Sequence, residues 1–280
     1  MNATHKKLFI KKTNVRIKTI KRMLMRFSLN ALGLLFPHRA RLLIKQWYFR
    51  PTRRRTTAKE QEWLDRATNF QVRVHDKTIQ CWKWGDGPPI LAVHGWNGRG
   101  INLHPLFAPL LQQGFAVVTF DAPAHGVSDG THTNYFEMTD TVRAMVNAMG
   151  KRSVVGIVAH SLGGSAVINC LSKEGMNLKT VLIAPALRLR ELLYNTFNNQ
   201  GVPATIYKSI IREIESDLTE FSFDSSFWRN MPDGNYVWTI VASLSQGYYS
   251  DFINRTFEKY PLPLIDQSIY KNTGRYIFSP

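Results

Sequence analysis

Histidine is missing from this chain where chemistry would most use it. Its eight histidines, His5, His38, His75, His94, His104, His125, His132 and His160, all fall at or before position 160 of 280 residues, although about three would be expected by chance in the remainder. Beyond that point no side chain has an ordinary pKa suited to proton transfer near neutrality. Cysteine is scarcer still. Cys81 falls in a predicted strand and Cys170 in a predicted helix, which argues against a disulfide, reads both thiols as small core residues and fits a reducing, cytoplasmic setting. No clustered Cys, His, Asp or Glu suggests a metal, and the glycine-rich segments carry neither a P-loop lysine nor a dinucleotide fingerprint, so no cofactor is expected. Long apolar runs are lacking too. The run from Phe27 to Phe36 is too short to cross a bilayer, and Pro37-His38-Arg39 behind it offers no small-residue cleavage site of the secretory kind.

Negative charge is absent from the N-terminal segment. Residues 1–55 hold 16 Lys and Arg and no Asp or Glu, whereas residues 56–280 hold 20 of each, so the net charge of +16 is wholly N-terminal. There, Lys18, Arg22 and Arg26 share one face at helical spacing, while Ile20, Met23, Leu24, Phe27, Ala31 and Leu34 or Leu35 share another. Such a helix suits an anionic membrane surface, which would make the protein peripheral on the inner membrane face, and it equally suits docking on a folded core. Attraction to nucleic acid is a third reading of the charge, but no nucleic-acid motif or base-stacking pattern accompanies it. Arg50 to Arg55 reads as an exposed joint. The expected organisation is a basic helical segment over 1–55 followed by one domain over 56–280, a length and a hydrophobic content of 44% that allow a sizeable core.

What is present begins with an alternation. Gln71 to Trp84 predicts an antiparallel hairpin turning at Asp76-Lys77. Beyond it, apolar runs at Ile90–Val93, Phe115–Phe120, Val154–Val158 and Val181–Ala184 predict strands, with helices from about Leu103 to Gln113, from about Tyr135 to Met149, and from the turn at Ser161 to about Glu174. Strands apolar on both faces and alternating with helices imply a mostly parallel, doubly wound α/β sheet covered on both sides.

The third of these strands ends at Ala159-His160-Ser161-Leu162-Gly163. A serine on a tight strand-to-helix turn needs near-absent side chains two residues before and two after it, and Ala159 and Gly163 supply them. A serine between small residues also occurs in turns without chemistry. Two further motifs follow the first and second of these strands: His94-Gly95-Trp96, and Asp121-Ala122-Pro123-Ala124-His125-Gly126-Val127-Ser128.

Taken in this order, the three motifs resemble the α/β-hydrolase superfamily, in particular its lipase, esterase and carbon–carbon hydrolase-like branch with an HGW oxyanion loop. The similarity runs over roughly Gln71 to Ala186. It implies an α/β-hydrolase fold with a helical lid and a cofactor-independent serine hydrolase acting on a small-molecule ester or acyl substrate. Ser161 would be the nucleophile, and the main-chain amides of Leu162 and Trp96 the oxyanion hole. Leu162 opens a helix, where partial positive charge accumulates, and Gly95 lets the backbone turn the next amide inward. His94, Gly95, Ala159, His160, Gly163, Asp121 and His125 would support these groups, with Asp121 and Ser128 bracing a loop.

In this family an acid and then a histidine follow the serine. Here the general base is unassigned, and Asp233, Asp251 and Asp266 are the acid candidates, each equally readable as a solvated surface aspartate. The lid is expected over about 187–230, with Leu192, Leu193, Tyr207, Ile210 and Ile211 at helical spacings. Residues 231–280 are atypical, rich in Tyr, Asn, Ser and Ile, with one predicted strand at Val237–Leu244. Two explanations compete with a complete enzyme. One is a truncated or frame-shifted relative lacking the last strands, and the other an intact but non-catalytic binding module on the same fold.

Overall fold

The computed structural model describes residues 23–176, 178–186 and 189–216, together with strand segments at 237–240, 264–265 and 277–278. The chain divides into two compact units, Met1–Tyr48 with Arg188–Ser225, and Phe49–Leu187 with Ser226–Pro280.

The described part of the first unit is helical. Helix α1 runs through residues 23–35, α2 spans Pro37–Tyr48, and α7 and α8 span Leu189–Gln200 and Ala204–Ser216. Segments far apart in sequence meet here through aromatic packing. Tyr48 lies 4.3 Å from Phe197 between ring centroids, and Phe197 stacks on Tyr207 at 5.9 Å. Ile44, Phe197 and Ile210 are fully buried, and Lys45 pairs with Glu213.

The second unit is built on a seven-stranded sheet of order β1-β2-β4-β3-β5-β6-β7. Strands β1 (Thr68–Val74) and β2 (Lys77–Trp84) form the expected hairpin, turning one residue earlier than predicted, at His75-Asp76, with His75 at φ 53°. Strand β2 is also antiparallel to β4 (Ala116–Phe120). The rest pair in parallel: β4 with β3 (Pro89–Val93), β3 with β5 (Gly156–His160), β5 with β6 (Lys179–Ile183), and β6 with β7 (Val237–Ile240). A separate antiparallel pair joins β8 (Leu264–Ile265) to β9 (Ile277–Phe278). The sheet is therefore a mostly parallel α/β arrangement, and β4 is buried at every position, as a strand covered on both faces must be.

Helix α3 (Ala58–Leu64) starts at a capping box between Thr57 and Glu60. Helix α5 (Tyr135–Met149) has the predicted bounds because both ends are specified. The Asn134 side chain accepts from the Phe136 and Glu137 amides, and Gly150 at φ 84° ends the helix. Helix α6 (Leu162–Glu174) likewise stops at Gly175 in the left-handed region. The helix expected at Leu103–Gln113 is instead a 3₁₀ helix, Gly100–Leu106, running into α4 (Phe107–Gln112). Pro105 and Pro109 lack the amide donors that a continuous α-helix would need there. The strand expected at Val154–Val158 starts two residues later, its register with β3 opening at Gly156 opposite Ile90, just after the Val155 amide donates to the carbonyl of Pro89, the first residue of β3.

Strand order positions the site. The chain steps from β3 to β4 on one side, then crosses to β5 on the other side of β3. In parallel sheets such a reversal opens a crevice beyond the carboxyl ends of the two strands that flank it. Here these are β3, followed by His94-Gly95-Trp96, and β5, followed by Ser161.

Candidate active site

Backbone strain gathers at this edge. Among the described residues five non-glycines have positive φ, and four of them, Asn97, Ala124, Ser161 and Ala184, lie just past the ends of β3, β4, β5 and β6. Ser161 has φ 52° and ψ −124° on the sharp turn between β5 and α6. Its amide donates to the Ile183 carbonyl, and its carbonyl accepts from Gly164 and Ala186, so the turn is tied to β6 and the loop after it. Among the described residues the hydroxyl Oγ makes no hydrogen bond.

Two glycines let the strands close on this turn. A Cβ on Gly95 would stand 2.8 Å from Ser161 Cβ, and one on Gly163 would stand 2.3 Å from the His94 carbonyl oxygen. Gly95 is thus in direct apposition to the serine, which brings the adjoining Trp96 residue to the same site. Ala159 is fully buried between Val93 of β3 and Leu182 of β6, with room for a methyl group. The main-chain N–H groups of Leu162, at the first position of α6, and of Trp96 donate to nothing among the described residues. The half-buried Trp96 ring meets His125 edge to face at 5.3 Å.

His94 and His125 are committed elsewhere. His94 Nδ1 lies 2.7 Å from the Gly95 carbonyl and Nε2 accepts from the Ala122 amide at 2.9 Å; His125 Nδ1 lies 2.9 Å from the Pro123 carbonyl and Nε2 accepts from the Asn97 amide at 3.2 Å. With both nitrogens on the main chain and little access to water, burial pushes their pKa values down to about 4 and about 3. They are neutral pins joining the loop after β3 to the loop after β4. His160 is half-buried beside the turn, its Nδ1 facing Gly95.

Asp121 is the third pin. Fully buried, it accepts from the Gly100 and Val127 amides at 2.9 Å each and lies 3.5 Å from the Arg99 guanidinium. Gly126, at φ 45°, leaves room for it, since a Cβ there would fall on the carboxylate. Ser128 donates to the Asp121 carbonyl and accepts from the Gln80 amide.

One contributor escaped the sequence reading. The joint at Arg50–Arg55 is exposed apart from Pro51, yet Arg53 donates to the carbonyls of Gly126, Ser128 and Gly130 at 3.0, 2.8 and 2.6 Å, and the Thr52 amide donates to Asn97 Oδ1 at 2.7 Å. This segment straps the two loops that flank Ser161. A run of arginines carries no local signal for acceptors more than 70 positions away. The acid candidates Asp233, Asp251 and Asp266 lie outside the described residues.

Cys81 and Cys170 are buried and unpaired, their thiols pushed up to about 12 by burial, which suits packing rather than nucleophilic chemistry. No group of three or more His, Cys, Asp or Glu among the described residues is placed to hold a metal ion. An open cavity of about 590 Å³ lined by Trp63, Arg66, Lys83, Trp84, Gly87 and Phe115 lies by the starts of β3 and β4. That is the opposite end of the sheet from Ser161.

Comparison with known proteins agrees with the fold. The family model described as the alpha/beta hydrolase family matches residues 90–266. A non-heme haloperoxidase of Rhodococcus erythropolis is 28% identical over 160 residues, covering 55% of this chain and 57% of that protein. An sn-1-specific diacylglycerol lipase of Danio rerio is 26% identical over 187 residues, covering 60% and 58%. The chain thus spans about half the length of the curated relatives it matches. Among solved structures, an esterase of Pyrococcus furiosus superposes with a TM-score of 0.52 at 16% identity, covering 76% of this chain and 85% of that one, a likeness of fold.

Proposed function

The chain belongs to the alpha/beta hydrolase family, and from that premise we propose that it is a serine hydrolase cleaving an ester or related acyl bond. Ser161 Oγ attacks the carbonyl carbon, and the developing oxyanion is held by the Leu162 and Trp96 main-chain amides. The acyl–oxygen bond then breaks, the alcohol leaves with a proton, and water hydrolyses the acyl-serine to regenerate Ser161. The observation that carries this reading is the strained backbone of Ser161, packed against Gly95, with its Oγ and the main-chain amides of the next residue, Leu162, and of Trp96 beside Gly95 making no hydrogen bond among the described residues. Strain held in place by packing on both sides is the mark of a preorganised site.

The residues that accept and return the proton are unassigned. Both ring nitrogens of His94 and of His125 are engaged by main-chain groups, so neither ring serves as the base. A lipase and an esterase/perhydrolase among the relatives support the acyl reading, alongside the non-heme haloperoxidases that share the fold.

A fluorophosphonate probe tests it. Wild-type protein is expected to label at one serine, and Ser161→Ala to lose the label while keeping its melting temperature. Folded wild type that fails to label would return the chain to the reading of a non-catalytic protein on a hydrolase fold.

A further inference from the structure

Residues 1–22 and 23–55 each carry eight of the 16 N-terminal positive charges, with no carboxylate in either stretch. Helix α1 adds an unusual apolar surface to that charge. At 3.6 residues per turn, Met23, Leu24, Phe27, Ala31, Leu34 and Leu35 fall on one stripe about 120° wide. Leu29, on the opposite side, is buried, and neighbouring Gly33 abuts Ile206 of α8. The stripe is therefore the outward face: Phe27, Leu34 and Leu35 are 76%, 83% and 72% exposed. A surface helix of a globular protein turns its polar side to water and its apolar side inward, whereas this one leaves its apolar stripe in water together with Arg26, Ser28 and Asn30. Leu42, Leu43 and Trp47 of α2 are exposed as well. Of the 13 large hydrophobic side chains exposed among the described residues, 10 lie between Met23 and Trp47, a concentration far from random scatter.

We propose that this face of α1 and α2 lies in the interface of an anionic bilayer, its apolar stripe among the upper acyl chains and its basic side chains among the headgroups. Charge and apolarity together select this occupant. A second copy of the chain would bury the stripe but bring two basic segments together. Nucleic acid would neutralise the charge and leave the stripe in water. Anionic lipid satisfies both, since interfacial binding grows with buried apolar area and with each basic residue near the surface. No helix among the described residues is long and apolar enough to cross a membrane, so the attachment is peripheral.

Co-sedimentation of the full chain with vesicles tests the proposal independently of catalysis. Binding to phosphatidylcholine vesicles containing about 30% phosphatidylglycerol should exceed binding to phosphatidylcholine alone by about tenfold or more at 0.1 M salt, and should weaken several-fold at about 0.5 M. The triple variant Phe27→Gln, Leu34→Gln, Leu35→Gln keeps the net charge and changes only exposed positions. It should lose about tenfold or more of that binding, with unchanged circular dichroism confirming its fold. Three results would overturn the proposal: no binding of wild type to anionic vesicles, equal binding by the variant, or a concentration-dependent dimer by light scattering that the variant abolishes. The last would assign the face to a second copy. Binding to a DNA duplex without binding to vesicles would assign the charge to nucleic acid instead.

Discussion

At the scale of single residues, the site depends on atoms that are absent. Gly95→Ala would place a methyl group 2.8 Å from Ser161 Cβ, and relief of that overlap must move either the loop or the turn. We expect a stability loss of about 1–3 kcal/mol and fluorophosphonate labelling slowed by about a hundredfold, the scale of one lost oxyanion donor. Labelling at the wild-type rate by a folded Gly95→Ala protein would separate the loop from the chemistry. The neutral pins carry a different signature. His94 and His125 titrate at about 4 and about 3 in the fold against 6.5 for an unperturbed ring, so below pH 6.5 the unfolded chain binds the more protons. The stability held by the two uncharged rings is whole above pH 6.5 and drains away as pH falls toward 4 and 3. Urea midpoints should therefore drop between pH 7 and 4.5, reporting a loss of unfolding free energy on the order of a few kcal/mol in total. His125→Gln, less stable at pH 7, should show a flatter dependence over the same window. An equally steep fall in that variant would place the acid sensitivity in other groups.

At the scale of elements, what could be read from sequence was whatever local chemistry specifies. Helix α5 was legible because Asn134 and Gly150 mark its ends and its apolar spacing is regular. The run from Val154 reads as a strand from its first residue, but its true start is set by pairing with β3, a partner more than 60 positions away that apolar pattern cannot register. Likewise Leu103 to Gln113 has helical periodicity, and two prolines divide it. Of the candidate site, the motifs and their order were legible, since each falls where a strand ends. The strap at residues 50–55 was not, because arginine donating to scattered carbonyls leaves no pattern in its own neighbourhood. It makes a firm prediction nonetheless. Arg53→Ala removes three hydrogen bonds from the loop after β4. Hydrogen exchange should accelerate over residues 122–130, with a stability loss of only about 1 kcal/mol because the site is exposed to water. Arg53→Lys should not restore protection, as an ammonium cannot span three carbonyls held by a planar fork. Full protection in the lysine variant would reduce the strap to a charge effect.

At the scale of the whole molecule, the two units differ in how they are held together. The sheet unit is a ladder of strand pairs, whereas the described helical unit joins residues 37–48 to residues 189–216 by aromatic packing and the Lys45–Glu213 pair. Phe197 is central to that union, fully buried between Tyr48 and Tyr207. A small helical unit whose segments meet through packed side chains has few contacts to lose before it opens. Phe197→Ala leaves a cavity the size of a ring, and such changes cost about 3–5 kcal/mol, comparable to everything a unit of this size can hold in reserve. The expected outcome is selective. Amide protection should collapse over residues 37–48 and 189–213 while β3, β4, β5 and β6 keep theirs, and Ser161 should still take the fluorophosphonate label, because the residues packed around it lie in the sheet unit. Exchange that rises together across both units would show instead that the helical unit and the sheet unfold as one cooperative body, and that Ser161 depends on side chains outside its own unit.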